Sequence, residues 1–192
     1  MNSKVKIAVF ASGSGSNFAA IEEACQKDEL NAEVVLLVTN KPEAFVVERA
    51  DKVSIPVAAI RPKDFETKDA YEEAILQALR ESGVEWLVLA GYMRLVGSVL
   101  LTAYPSRIVN IHPSLLPSFP GKDAIGQAVA HGVKVTGVTV HLVDEGMDTG
   151  QILAQHAVRV VDGNPDKTAE AIHAVEHDLY KETLNKLFNH IS

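Results

Sequence analysis

The chain has 192 residues, 47% of them hydrophobic and 22% charged, enough for one globular domain with a proper core. Its net charge is −7, and no basic run interrupts the acidic balance, which argues against a nucleic-acid partner. A single cysteine, Cys25, excludes an internal disulfide, and no apolar stretch approaches the roughly 20 residues of a membrane span.

Strands and helices alternate from the start. Lys4–Phe10 is apolar and β-branched, and nothing before it resembles a signal peptide, so a cytoplasmic protein is expected. Asn17–Lys27 has helical spacing, with Phe18, Ile21 and Cys25 on one face, which reads Cys25 as core. Ala32–Thr39 is a continuous apolar run, as in a strand buried on both faces of a parallel sheet. A helix is expected over Pro42–Val53 with Pro at its start, then a short strand at Val57–Ile60. Phe65–Ser82 reads as a helix with Tyr71, Ile75, Ala78 and Leu79 on one side and Gly83 as its stop. Trp86–Ala90 is another buried strand, and Arg107–Asn110 a short one.

The pattern then changes. Val133–Val143 and Ile152–Val161 read as two longer, antiparallel strands, and Asp166–Asn189 as a closing helix with a stripe of Ala169, Ile172, Val175, Leu179, Leu187 and Phe188. The expected fold class is α/β: a mostly parallel Rossmann-like open sheet flanked by helices, with a mixed C-terminal edge and a long closing helix. With no repeat or linker in view, residues 1–192 read as one domain.

Two stretches carry the chemistry. Residues 12–17, SGSGSN, follow the first strand and open the first helix. Glycines there let backbone N–H groups approach an anion at the positive end of the helix dipole, which suits a phosphate. The stretch departs from the dinucleotide fingerprint, since Phe18 stands at the third glycine and Asn40-Lys41 follows the second strand. The second stretch is NIHPSLLPSFPG, residues 110–121, joined by GVTVHLVDEGMDTG, residues 137–150. Asn110 and His112 stand where a strand ends, the place where ligands sit in a parallel sheet. His141, Asp144, Glu145 and Asp148 cluster in the later segment. An amide beside a His can stabilise an oxyanion, and a carboxylate can orient the imidazole. No G-x-S-x-G elbow occurs, which favours direct transfer over an acyl-enzyme.

The pattern N-I-H-P-S-L-L-P-x-x-P-G, followed by G-V-T-V-H-x-V-x-x-x-x-D-x-G-x-I-L, resembles the folate-dependent formyltransferases. The SGSGSN loop and the length are similar to the branch that acts on glycinamide ribonucleotide, whose amine attacks the formyl carbon of 10-formyltetrahydrofolate. The resemblance implies that Asn110 and His112 stabilise the oxyanion and that Asp148 sets His112 and relays a proton. It implies that Gly15, Ser16, Asn17, Lys68 and Glu176 bind the ribonucleotide. It further implies that Met93, Arg94, Leu95 and Val96, with Val143 and Asp144, form the folate pocket, and that no metal takes part. Relatives often carry His-rich sequence after FPG, where this chain has Lys122-Asp123-Ala124-Ile125. The expected partners are these two small molecules, with no nucleic acid and no membrane.

Three rival readings compete. A formyltransferase acting on tRNA would need a further RNA-gripping domain and a less acidic surface. His173-x-x-Glu176-His177 matches a short zinc-site signature, but a third ligand is expected well downstream. A bare phosphate-binding module would explain SGSGSN and leave Asn110, His112 and Asp148 without a task.

Overall fold

The computed structural model describes residues 4–189, so the outermost three residues at each end of the expected 1–192 domain lie outside the described residues. Elements run in the order β1 Val5–Phe10, α1 Ser16–Gln26, β2 Ala32–Thr39, α2 Phe45–Lys52, β3 Val57–Ala59, a 3-10 turn at Pro62–Asp64, α3 Lys68–Glu81, β4 Trp86–Leu89, α4 Ser98–Ala103, β5 Ile108–His112, α5 Ala124–His131, β6 Val135–Leu142, β7 Ile152–Arg159 and α6 Pro165–Asn189. The seven strands form one sheet in the order β3-β2-β1-β4-β5-β6-β7. Pairing is parallel from β3 to β5 and antiparallel from β5 to β7. The chain thus winds one way from β1 to β3, then crosses back to β4 and β5. The gap between the tips of β1 and β4 is the switch point at which such sheets bind ligands.

Two apolar layers hold the sheet. One face packs α1, α2 and α6, with Phe18, Ile21, Val46, Ile172, Tyr180, Leu184 and Phe188 buried. The other packs α3 and α4 through Tyr71, Ile75, Leu79, Leu100 and Tyr104. β1, β2 and β4 are apolar on both sides because both faces are covered. Cys25 is buried in the first layer, and burial pushes its thiol up to about 12. Among the described residues no helix is long and apolar enough to cross a membrane.

Several boundaries differ from the sequence expectation for identifiable reasons. α2 begins at Phe45, not Pro42, because Lys41–Ala44 forms a turn first, with Ala44 N–H donating to Lys41 O. Val46 N–H, one of the helix's orphan donors, goes to Gly13 O, so docking on the first loop sets where the helix starts. α3 begins after Thr67, whose hydroxyl accepts from Ala70 N–H, leaving Phe65 outside the helix. Gly83, at φ 64°, ends it as expected. α6 starts one residue early at Pro165, and its buried face runs through Thr168, Ile172, Glu176, Tyr180, Leu184 and Phe188. Of the expected stripe, Ala169, Val175, Leu179 and Leu187 flank that line rather than form it.

β5 extends two residues beyond the expected Asn110, so Asn110 and His112 are strand residues. Asn110 is the last to pair with β4, opposite Leu89. His112 pairs only with β6, opposite Thr139. The short helices α4 and α5 lie outside the sequence expectation. The N-terminus of α4 is capped from α3, where buried Glu72 accepts from Gly97 N–H at 2.6 Å and Leu100 N–H at 3.4 Å.

Candidate functional site

At the tip of β1, Gly15 turns the chain into α1 with φ 74°. No side chain caps that helix, and Asn17 Oδ1 is buried without a hydrogen-bond partner. The first-turn N–H groups of Ser16 and Asn17 are therefore left to whatever occupies the loop. Arg49 of α2 donates through Nε to Ser14 O at 2.7 Å, bringing a guanidinium to the loop's outer edge. Sequence reasoning missed Arg49, which is one of several charges along α2 and acquires its place only through packing. From α6, Glu176 meets the loop, with Asn17 Nδ2 donating to Glu176 Oε2 at 3.5 Å. Glu176 is buried, and His173 Nδ1 lies 2.8 Å from the same oxygen. Glu176 thus pairs with the loop through Asn17 and with His173 beside it. Among the described residues no group of three or more His, Cys, Asp or Glu side chains is arranged to hold a metal ion.

At the tips of β4 and β5 lies a cleft of about 390 Å³ lined by Met93, Arg94, Leu95, Val96, Asn110, His112, Val143 and Asp148. Met93 and Leu95 are exposed at its rim, and Val96 is buried. Arg94 stacks its guanidinium 5.2 Å over the Tyr71 ring, and its Nε is buried without a partner. The two loops are physically tied: Met93 N–H donates to Ser12 Oγ at 2.9 Å. Lys122, Asp123, Ala124 and Ile125 line the same cleft.

The cleft floor holds the polar cluster. His112 is buried, with Nε2 donating to Phe119 O at 2.8 Å and Nδ1 3.5 Å from Asp148 Oδ2. Both ring nitrogens thus face acceptors. Asp148 Oδ2 also accepts from Gly121 N–H at 2.8 Å, so one carboxylate oxygen joins the Pro-rich turn to His112. Asp148 sits at φ 56°, a left-handed conformation that Asp tolerates better than most residues. His141, buried on β6, has Nε2 3.2 Å from Asn110 Nδ2 and 3.7 Å from Asp148 Oδ1, and Nδ1 2.9 Å from Leu142 O. Burial lowers its pKa below the ordinary value, partly offset by the Leu142 carbonyl and Asp148.

Two expected site residues have side-chain partners outside this cluster. Asp144 is exposed, and its Oδ1 accepts from Gly146 N–H at 3.0 Å and Thr149 Oγ1 at 2.6 Å, so the carboxylate shapes its own turn. Lys68 opens α3 with Nζ 3.9 Å from Glu72 Oε1, and a Cβ built on Gly97 would meet its Cε. It makes no hydrogen bond to Gly15, Ser16 or Asn17 among the described residues.

The same fold and sequence pattern occur in known proteins. The family profile described as Formyl transferase matches residues 5–184. A phosphoribosylglycinamide formyltransferase of Bacillus subtilis (strain 168) is 52% identical, over 95% of this chain and 94% of its own. The solved phosphoribosylglycinamide formyltransferase of Bacillus halodurans superposes with a TM-score of 0.94 at 53% identity, covering 97% of each chain. The glycinamide ribonucleotide transformylase 1 of Geobacillus kaustophilus superposes at 0.93 and 53%, covering 96% of this chain and 99% of its own. The chain belongs to the formyl transferase family, alongside relatives named phosphoribosylglycinamide formyltransferase.

Proposed function

We propose that this chain transfers the formyl group of 10-formyltetrahydrofolate to the amine of glycinamide ribonucleotide, yielding formylglycinamide ribonucleotide and tetrahydrofolate. The observation that carries the reading is the meeting of Asn110, His112 and Asp148 on the floor of one cleft, next to an uncapped helix N-terminus. The expected site residues keep their expected roles in this reading, and the whole chain acts as a single formyltransferase domain in the cytoplasm.

The phosphate would sit on the N–H groups of Gly15, Ser16 and Asn17, where the helix dipole favours an anion. Glu176 would accept from the glycinamide amine, since it already reaches the loop through Asn17. Lys68 would add its charge to the ribonucleotide phosphate only by leaving Glu72. The folate would lie along Met93, Arg94, Leu95 and Val96, with its ring read by backbone groups there and at Val143, which line the cleft, and at neighbouring Asp144.

The amine nitrogen lone pair attacks the formyl carbon, and the carbonyl electrons move to oxygen. Asn110 Nδ2–H and a His112 N–H released from Phe119 O or Asp148 would stabilise that oxyanion inside the cleft, where a fixed donor counts for more than in water. The amine then loses a proton, and as the oxyanion re-forms the carbonyl the C–N10 bond breaks and its electron pair on N10 takes up a proton. His112 supplies the proton toward N10. Asp148, held by Gly121 N–H, keeps His112 oriented and relays the amine proton. No metal enters these steps.

The test is a turnover assay with the purified full chain, glycinamide ribonucleotide and a 10-formyl folate, in the presence of chelator. Folate deformylation that requires the ribonucleotide is expected, and His112→Ala should lower kcat by about 100- to 10,000-fold. Unchanged turnover in His112→Ala overturns the catalytic assignment. Folate binding without ribonucleotide-dependent turnover moves the acceptor to another amine.

A further inference from the structure

His141 is buried beside the cluster just described and has no part in the steps above. Its partners settle its proton. Nδ1 lies 2.9 Å from Leu142 O, and a carbonyl can only accept, so Nδ1 carries hydrogen. Nε2 lies 3.2 Å from Asn110 Nδ2, and an amide nitrogen can only donate, so Nε2 is bare. With the Asn110 amide in this orientation, one arrangement satisfies both neighbours: a neutral ring protonated at Nδ1, accepting from the amide. That bond uses one of the two Asn110 N–H groups and leaves the other for the cleft that Asn110 lines.

The alternative state has a defined cost. A proton on Nε2 would face the Asn110 NH₂, donor against donor, and would turn the amide over. It would also aim at Asp148 Oδ1, 3.7 Å away, and so compete with His112 for that carboxylate. The charged and titratable groups facing the ring are Asp148 and Asp144 from the 143–150 loop, which favour its proton, and His112 from β5, which opposes it. Desolvation outweighs the first two and keeps the ring neutral.

The geometry points to His141 as a positioning residue for formyl transfer: as the neutral Nδ1–H tautomer it holds the Asn110 amide in one orientation and leaves Asp148 to His112. The kinetic part of this assignment rests on the function proposed above, whereas the tautomer does not.

The first measurement is a long-range ¹⁵N–¹H NMR spectrum of the ring nitrogens in the labelled full chain at neutral pH, with His141→Gln supplying the assignment. A pyrrole-type Nδ1 and a pyridine-type Nε2 are expected for His141. A proton on Nε2, or on both nitrogens, overturns the inference whatever the turnover shows. The second measurement is kinetic. His141→Ala should lower kcat by about 100-fold with both KM values held within about three-fold, because an oxyanion donor is misdirected while both substrates stay bound as before. His141→Gln, whose Oε1 can accept from Asn110, should restore at least about ten-fold of that loss. An unchanged kcat in His141→Ala, or no restoration by Gln in a variant with the wild-type fold by circular dichroism, overturns it. Absence of ribonucleotide-dependent turnover in the wild-type chain would instead sink the function reading and leave the tautomer result standing.

Discussion

Asn17 and Glu176, separated by 159 positions, meet through a 3.5 Å hydrogen bond at the mouth of the first loop. The closing helix thus reaches the first loop and is not only a cover for the sheet. Replacing Glu176 with Gln keeps the shape and removes the charge that would face an amine. We expect kcat/KM for the ribonucleotide to fall by about 10- to 100-fold, as for loss of a charged hydrogen bond, with KM for the folate unchanged. Steady-state kinetics with each substrate varied in turn checks this.

Gly15 and Gly13 separate conformation from composition in the SGSGSN loop. Gly15 has φ 74°, and an added Cβ would run into the side chain and backbone of Val46. At Gly13 an added Cβ meets nothing within 4 Å. Gly15→Ala should cost about 1–3 kcal/mol of stability, whereas Gly13→Ala should fold like the wild type. Urea unfolding of the two variants side by side decides it.

Tyr180 ties the closing helix to the two strands that carry the cleft. Its hydroxyl lies 2.8 Å from Leu89 O and 3.2 Å from Val109 O, and the residue is fully buried. Tyr180→Phe leaves the ring packing intact and removes the donor. The expected loss is about 1–2 kcal/mol, or a Tm lower by about 2–8 °C for a chain of this size. Calorimetry of wild type and variant gives the answer.

His141 makes stability depend on pH in a definite direction. Its folded pKa is held below the ordinary 6.5 by burial. As pH falls, the unfolded chain takes up this proton first, so the stabilisation is present above about 6.5 and is lost on descending toward the lowered folded value. Denaturation midpoints should therefore drop more steeply for the wild type than for His141→Gln between about pH 7.5 and 5.5. Parallel slopes would mean that His141 does not titrate in this window.

The strands of the parallel half were legible because both sheet faces are covered, which writes β2 and β4 as unbroken apolar runs. The pair β6 and β7 showed only as two longer, partly alternating runs, and the structure makes their pairing antiparallel. Helix starts were less so. Thr67 signals its cap locally, but α4 is capped by Glu72 from another helix, and α2 begins where Gly13 receives Val46 N–H. No local window of sequence holds both partners of such a bond.

The site divides in the same way. The residue types and spacings at 12–17, 110–121 and 137–150 nominate a phosphate loop and a polar cluster, and the resemblance to folate-dependent formyltransferases singles out Asn110, His112 and Asp148 within it. Only the tertiary structure decides that Asp144 is spent on its own turn, that Lys68 is held by Glu72, and that Arg49 reaches Ser14. It alone makes His141 an acceptor for Asn110, since the proton on its ring follows from the Leu142 carbonyl against which the fold sets it. Composition and period write the strands and the loops into the chain. The direction of a hydrogen bond between distant residues depends on where the packed sheet puts its two ends.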